Sequence, residues 1–470
     1  MRRHQDRHAL LTETPIPRLI WTLSVPTIIS MLVTGVYNSA DTYFVGRIST
    51  QATAAVGLVF SVMAIIQALG FFCGHGSGNC LSRLLGAGKT KEANEIAATG
   101  FALALGIGAA VALLGNLFAC ELADFIGATD SARADTVAYM RIILLGAPFM
   151  TGQFVINNQL RFQGSAFYAM VGLMCGAVMN IGLDPLLMFV LGLGVRGAAI
   201  ATVCGQLMSF LVLLLGSRRG ENIRISRKNV RMSPDYLRRI VNGGMPSLLR
   251  QGLAAVSTLL LNRVAKAYGG DAAIAGMSVV TRALMLLVSA LIGFGQGYQP
   301  VCSYNYGAGL YRRVKEGYVY CLKVGTALLT AAAAVCLIWA EPIVAWFRDD
   351  PAVVAVGAAA LRAQAAVLPL LAPSILTNMF LQASGKGLKA SVTSSARNGI
   401  FFIPLILILP RFFGLPGEEM TQAWADVLTF LLSMPIAWSE LKKLNTDAPA
   451  GPRGRIAAQS TDTDMPRRQS

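Results

Sequence analysis

Charge is scarce in this chain. Only 14% of its 470 residues are Asp, Glu, Lys or Arg, whereas soluble domains carry about 25%. Apolar residues make up 54% and the mean hydropathy is +0.56. A soluble chain of this length would be expected to split into domains joined by polar linkers, and that pattern is missing. Histidine is nearly absent: His4, His8 and His75 fit no metal-ligand spacing. Cys73, Cys80, Cys120, Cys175, Cys204, Cys302, Cys321 and Cys336 form no CxxC pair and are scattered along apolar stretches. They read as small packing residues, so neither a metal centre nor a disulfide is expected. The start MRRHQDRHALLTETPIPR is polar and no small-residue cleavage site follows a short apolar run, so the first span must act as the insertion signal. The Gly-rich stretches GFFCGHGSG and GFGQGYQP lack the Walker pattern and lie at membrane depth, where Gly permits close helix packing. No nucleotide site, catalytic constellation or organic cofactor is expected, and the chain does not read as an enzyme.

What is present is a series of apolar runs, each long enough for the ~20 helical residues a bilayer core requires. They predict spans at 18–42, 53–81, 93–119, 136–159, 166–191, 197–216, 239–266, 272–302, 316–339, 353–381, 387–410 and 419–438. The short alternating segments of a membrane β-barrel are not found. The connections RLLGAGKTK, SRRGENIRISRKNVRMSPDYLRR, YRRVK and GKGLK are basic, as are both tails, while ELADFIGATDSARAD and EPIVAWFRDDP are acidic or mixed. Lys and Arg stay on the cytoplasmic side, so an even span count places both termini and the 217–238 connection in the cytoplasm. The net charge of +16 is then mostly topology, and no nucleic-acid partner is expected. An all-α, multi-pass protein of the cell (inner) membrane follows, with twelve transmembrane helices surrounded by membrane lipids.

The two halves repeat. Pro26 and Pro246 lie 220 positions apart, and TAAVG at 53–57 matches AIAGM at 273–277. Gly74-His75-Gly76 and Gly295-Gln296-Gly297, Gly86-Ala87-Gly88 and Gly307-Ala308-Gly309, and Gln163-Gly164 and Ser384-Gly385 are each offset by 221. Six spans return the chain to its starting side, so the repeats are parallel, an arrangement in which transporters hold cargo between halves that rock. The expected divisions are an N-terminal tail (1–17), an N-lobe (18–216), a basic cytoplasmic linker (217–238), a C-lobe (239–440) and a disordered cytoplasmic tail (441–470).

The stretches DTYFVGRISTQATAAVG, LRFQGSAFYAM, DPLLMFVLGLGVRGAAIATVCGQ, GQGYQPVCSYNYGAG and LQASGKGLKASVTSSARN occur in an order that resembles the multidrug and toxic compound extrusion family, along about residues 15–440. The resemblance implies a V-shaped, two-lobe, twelve-helix transporter. It also implies secondary active efflux of small organic, often cationic, compounds in exchange for H+ or Na+ by alternating access, by a protein expected to act as a monomer. The match is closer to the DinF-like bacterial exporters than to NorM-like members, whose cation-site carboxylates lie in the seventh and tenth spans. Around Arg250-Gln251 and Thr377-Asn378 there is no Asp or Glu. The alternative is a flippase for a lipid-linked or polysaccharide substrate, which should show a more strongly basic central cavity.

Intramembrane charge is costly, about 2.5 to 3.5 kcal/mol on insertion scales, and therefore informative. Asp41 and Asp184 stand inside N-lobe spans, and the C-lobe spans are expected to hold no comparably placed acid. Tyr37 and Asn38 share a helical face with Asp41, and Asn180 lies one turn before Asp184. The resemblance places Asp41, Asn180, Asp184 and Thr202 at the family's N-lobe cation site, with Tyr139 and Asn157 in the surrounding polar network. Two carboxylates, an amide and a hydroxyl suit a hard cation, and a desolvated Asp beside a second carboxylate suits a proton. Pro26 is expected to be a hinge, because it lacks an N–H and clashes with the carbonyl four residues back; Pro246 occupies the equivalent C-lobe position. Arg250, Arg263, Arg282, Lys323 and Arg397 lie within C-lobe spans and need polar partners or snorkel from helix ends. Phe149, Met150, Gln153, Phe154 and Met174 are of types that adapt to varied ligands, and serve equally well as core.

Overall fold

The computed structural model describes residues 2–219, 225–348 and 350–444, and among them every regular element is helical. The first half contains α1 (Arg2–Glu13), α2 (Ile16–Gly46), α3 (Thr50–Gly86), α4 (Thr90–Leu117), α5 (Ala119–Phe125), α6 (Arg133–Leu145), α7 (Ala147–Phe162), α8 (Ala166–Pro185) and α9 (Gly194–Arg219). The second contains α10 (Pro234–Gly307), α11 (Tyr311–Ile338), α12 (Ala340–Phe347), α13 (Pro351–Ala383), α14 (Gly387–Ser395), α15 (Phe402–Phe413) and α16 (Leu415–Lys442). Helices are what an apolar solvent demands, since it offers the backbone no partners.

Nine of the described helices are long and apolar enough to cross a membrane, or ten when α6 and α7, bent by 48° at Gly146, are taken as one span. Two expected spans, 239–266 and 272–302, fall in the single element α10. A straight helix of its 74 residues would run about 110 Å. Yet Ile240 and Tyr304 both press on α3, at Gly76 and Gly86 respectively. The path of α10 therefore doubles back between them.

The repeat is written in the backbone. Gly88, Gly164, Gly309 and Gly385 follow α3, α7, α10 and α13 with φ of 78°, 83°, 75° and 79°. At each, the next residue's N–H reaches back to a carbonyl in the last turn: Lys89 to Leu84, Ser165 to Leu160, Leu310 to Asn305 and Lys386 to Leu381. This is the left-handed helix stop that glycine adopts without strain. The glycines pair as 88 with 309 and 164 with 385, the same offset as the sequence repeat.

The N-lobe has its own apolar core, in which Val59, Ile66, Tyr139 and Ile143 are buried. The C-lobe core extends across the divide to Leu11, Leu19, Ile20, Leu23, Leu81 and Leu85. The lobes meet mainly where α2 and α3 pack on α10. There a Cβ on Gly76 would lie 2.3 Å from the Ile240 carbonyl oxygen, and one on Gly244 2.1 Å from that of Phe72. Close backbone approach of this kind is the usual role of small residues between membrane helices. The segment expected as an N-terminal tail forms α1: Leu11 is buried, its carbonyl accepts from Asn305 Nδ2 at 3.0 Å, and that of Thr14 accepts from Arg313 Nη2 at 2.6 Å. Residues 220–224 of the expected linker, and 445–470 of the expected C-terminal tail, lie outside the described residues, and α10 begins before the linker ends.

Candidate functional site

Four of the expected site residues lie on three helices of the N-lobe. Asn180 and Asp184 stand one turn apart on α8, Thr202 is on α9 and Asp41 on α2. Two glycines let α8 and α9 touch: a Cβ on Gly176 would lie 2.6 Å from the Gly205 carbonyl oxygen, and one on Gly205 2.8 Å from that of Gly176. That approach brings the Asn180 amide to Thr202 Oγ1 at 3.4 Å and to Asp184 Oδ1 at 3.5 Å. Asp184 immediately precedes Pro185, where α8 opens into a π-helical turn, Leu186–Val190. Proline cannot donate to the helix ladder, and π-turns of this kind occur often at functional sites.

Asp184 is fully buried, and Asn180 and Thr202 nearly so. The helix that carries Asp41, α2, packs on α8, which carries Asp184. Among the described residues Asp41 Oδ1, Asn180 Oδ1 and Asp184 Oδ2 have no hydrogen-bond donor. Beside them is a cavity of about 50 Å³ lined by Gln153, Phe154, Asn180, Thr202, Gln206 and Ser209, among others. Gln153 Oε1, Gln206 Oε1 and Ser209 Oγ are also buried without partners. Among the described residues the arrangement gathers oxygen atoms and supplies no cationic side chain, which is the chemistry of a site for a proton or a hard cation. Its volume accommodates a few water-sized groups, well short of the roughly 300–1,000 Å³ of a drug-sized pocket.

The other expected residues are placed differently. Asn157 Nδ2 donates to the Ala169 carbonyl at 2.9 Å, clasping α7 to the start of α8. Its repeat mate Asn378 does the same to Ala390 at 2.7 Å. Tyr139 is buried in the N-lobe core. The side chains of Tyr37 and Asn38 lie outside the described residues. Pro26 stands inside α2, which continues through it as one helix. Of the residues read as adaptable, Gln153 and Phe154 line the cavity, Met150 Sδ accepts from Gln206 Nε2 at 3.5 Å, and Phe149 packs on Phe210.

One expectation is corrected. The C-lobe does hold buried acids, Glu418, Asp426 and Glu440, all on α16. Asp426 is paired with Arg397, Nε to Oδ1 at 2.7 Å and Nη2 to Oδ2 at 3.3 Å, and accepts from Gln422 at 3.0 Å. Arg397 stands in a second π-helical turn, Ala396–Ile400, and Ser257 Oγ donates to the Asn398 carbonyl in that turn. Glu418 is fully buried, with neither oxygen partnered among the described residues. The Asp426 charge is tolerated because Arg397 neutralises it and the hydrogen bonds are satisfied.

The sequence pattern that defines the MatE family matches this chain twice, over residues 26–186 and 246–408. The multidrug export protein MepA of Staphylococcus saprophyticus is 28% identical over 434 residues, covering 90% of this chain and 94% of the relative. MepA of Staphylococcus haemolyticus is 26% identical over 437 residues, covering 93% and 96%. A solved structure, described as the outward-facing conformation of a multidrug resistance MATE family transporter of the MOP superfamily, superimposes with a TM-score of 0.87 at 26% identity, covering 93% of this chain and 98% of that one.

Proposed function

The chain belongs to the MatE family, and from that premise we propose that it is a secondary active exporter of organic compounds that takes in H+ or Na+ at the Asp41–Asp184 site. The observation that carries the reading is the N-lobe cluster of buried oxygens, Asp184 Oδ2, Asn180 Oδ1 and Asp41 Oδ1, left without donors beside a small cavity. The names of the MepA relatives favour multidrug cargo. The doubling back of α10 and the length of α16 favour twelve crossings. The basic connections favour an inner-membrane topology with both termini in the cytoplasm.

The mechanism follows from the position of α2. It carries Asp41 at one end and packs against the C-lobe at the other. Ser24 Oγ donates to the Phe294 carbonyl at 3.0 Å, and α10 approaches so closely that a Cβ on Gly293 would lie 2.8 Å from Ile28 Cα. Pro26 stands between Ser24 and Ile28, where the helix ladder lacks a donor. A cation shared by Asp41 and Asp184 draws α2 towards α8. Bending at Pro26 passes that movement to the seam between the lobes. Loss of the cation returns two carboxylates to mutual repulsion and reverses the movement. Because the cation pocket is too small for an organic molecule, cargo occupies space that the moving lobes open.

The test is efflux of a fluorescent organic cation from proteoliposomes under separately imposed proton and sodium gradients. Coupled export is expected under at least one gradient in the wild type, and is expected to be lost in Asp41→Asn and Asp184→Asn with membrane insertion intact. Wild-type rates in both variants at equal protein density would reject the site.

A further inference from the structure

A second polar cluster lies between the lobes, away from the cation site. Arg161, near the end of α7, is almost fully buried. Its guanidinium donates across the divide to Gln296 Oε1 on α10, and within its own lobe to Asn158 Oδ1. It also approaches His75 Nε2 on α3 at 3.4 Å. A guanidinium can only donate, so Nε2 accepts. The His75 proton is then on Nδ1, which donates to Ser247 Oγ on α10 at 2.8 Å, and the ring is neutral. One turn beyond Ser247 on the same helix stands Arg250, a second guanidinium. Neither arginine makes an ion pair among the described residues. Arg161 Nε has no hydrogen-bond partner among them either.

In the C-lobe the equivalent position carries no charge, and its side-chain bonds stay within that lobe. The repeat mate of Arg161 is Gln382, 221 positions on. With a neutral amide it donates to Ser247 Oγ at 2.9 Å and to the Gly243 carbonyl at 2.8 Å, and accepts from Gln299 at 2.9 Å. The C-lobe copy of the position thus makes a full set of bonds as glutamine. The N-lobe copy instead puts a positive charge in a buried place where its contacts, Gln296, Asn158 and His75, are all neutral, and Arg250 adds a second guanidinium on α10, one turn from Ser247. Planar guanidinium forks match carboxylates bidentately.

We propose that Arg161 and Arg250 form an oxyanion site that receives the carboxylate of an organic substrate when the lobes part on this side. Separation takes Gln296 away from Arg161 and leaves its donors to the incoming group. The position between the lobes, rather than on the lipid-facing surface, assigns the site to cargo on the transport path. The inference rests on the export reading only for the route by which the substrate arrives.

The experiment compares rhodamine B, which carries a free carboxylate, with its ethyl ester, which keeps the same cationic ring system. Binding of each is followed by fluorescence anisotropy to the full chain in phosphatidylcholine nanodiscs. The wild type is expected to bind the acid at least as tightly as the ester. Arg161→Gln, which copies the repeat mate, and Arg250→Gln are each expected to weaken the acid tenfold or more and the ester less than twofold. Arg161→Lys, which keeps the charge, is expected to retain most of the acid affinity and guards against a folding defect in the glutamine variant. Equal weakening of both dyes, no effect on either, or no binding of the acid by the wild type would overturn the proposal. Export of the ester under an ion gradient is measured separately and judges the transport reading alone.

Discussion

The tightest test of the lobe seam is a single methyl group. Gly86 ends α3, and a Cβ there would lie 2.0 Å from the Tyr304 carbonyl oxygen; Gly307 ends α10, and a Cβ there would lie 2.0 Å from that of Arg83. Both pairings are reciprocal across the repeat, since Gly86 and Gly307, like Arg83 and Tyr304, are 221 positions apart. Gly86→Ala must move backbone rather than a flexible side chain. Reaching ordinary van der Waals contact at 3.4 Å requires about 1.4 Å of separation at this crossing. Overpacking of that kind costs about 1–3 kcal/mol, which acts only on the state in which the lobes touch here. The balance between touching and parted lobes should therefore shift by about 5- to 150-fold. Because one displacement relieves both sites, Gly307→Ala added to Gly86→Ala should cost less than its effect alone. The assay is pulsed electron-spin distance measurement between labels at Lys91 and Arg312, exposed repeat mates on either side of the seam, with the native cysteines replaced. A longer-distance population is expected to grow in Gly86→Ala. Gly106→Ala, whose Cβ meets nothing within 4 Å, is the control. An unchanged distribution in folded Gly86→Ala, or an equal shift in the control, would refute the argument.

Three further outcomes are expected. Asn157→Ala removes a bond to one carbonyl, whereas Asn378→Ala removes contacts with the Ala390 carbonyl, Thr393 Oγ1 and Ser394 Oγ; at about 1 kcal/mol per hydrogen bond, thermal unfolding in nanodiscs should show the second variant as the less stable, and the reverse order would remove the basis of the comparison. In the connection between α5 and α6, hydrogen bonds from Arg133 hold the Asp124 carboxyl below its usual range, so this pair is intact at neutral pH and is lost only as the pH falls through that lowered value; Asp124→Asn should leave export at pH 7 unchanged, and a large loss in correctly inserted protein would assign the pair a transport role. Deletion of residues 450–470, a polar segment outside the described residues, should leave export unchanged, and a loss of activity would show that the segment participates.

The helical membrane fold was legible because apolar length and charge asymmetry act directly on chain threading, and the repeat because paired glycines fulfil one backbone requirement twice. That Asn180 and Asp184 share a helical face was legible from their spacing of four, whereas Thr202 entered only through the family resemblance. Arg161 was not legible. The expected fourth span stopped at 159 and left Arg161 out, while α7 carries it into the seam. The signal available was the repeat itself, which aligns Arg161 with Gln382 and His75 with Gln296. Asp426 lies inside the expected span 419–438 and departs from the expectation because an acid there is held by a partner that the span does not contain. Its partner Arg397 lies 29 residues away on another helix, and nothing in the local sequence announces the pairing.

Helix α1 has a consequence for biosynthesis. Its last turn is tied to Asn305 across 294 positions, and the following Thr14 to Arg313 across 299. A ribosome adding about 5–20 residues per second reaches those partners roughly 15–60 s after α1 has emerged. Throughout that interval the N-terminal helix lacks its partners in the second half, although the first half can already be threaded into the bilayer. Helix α1 is therefore translated well before its second-half contacts can form, and completion of the second half is what closes them.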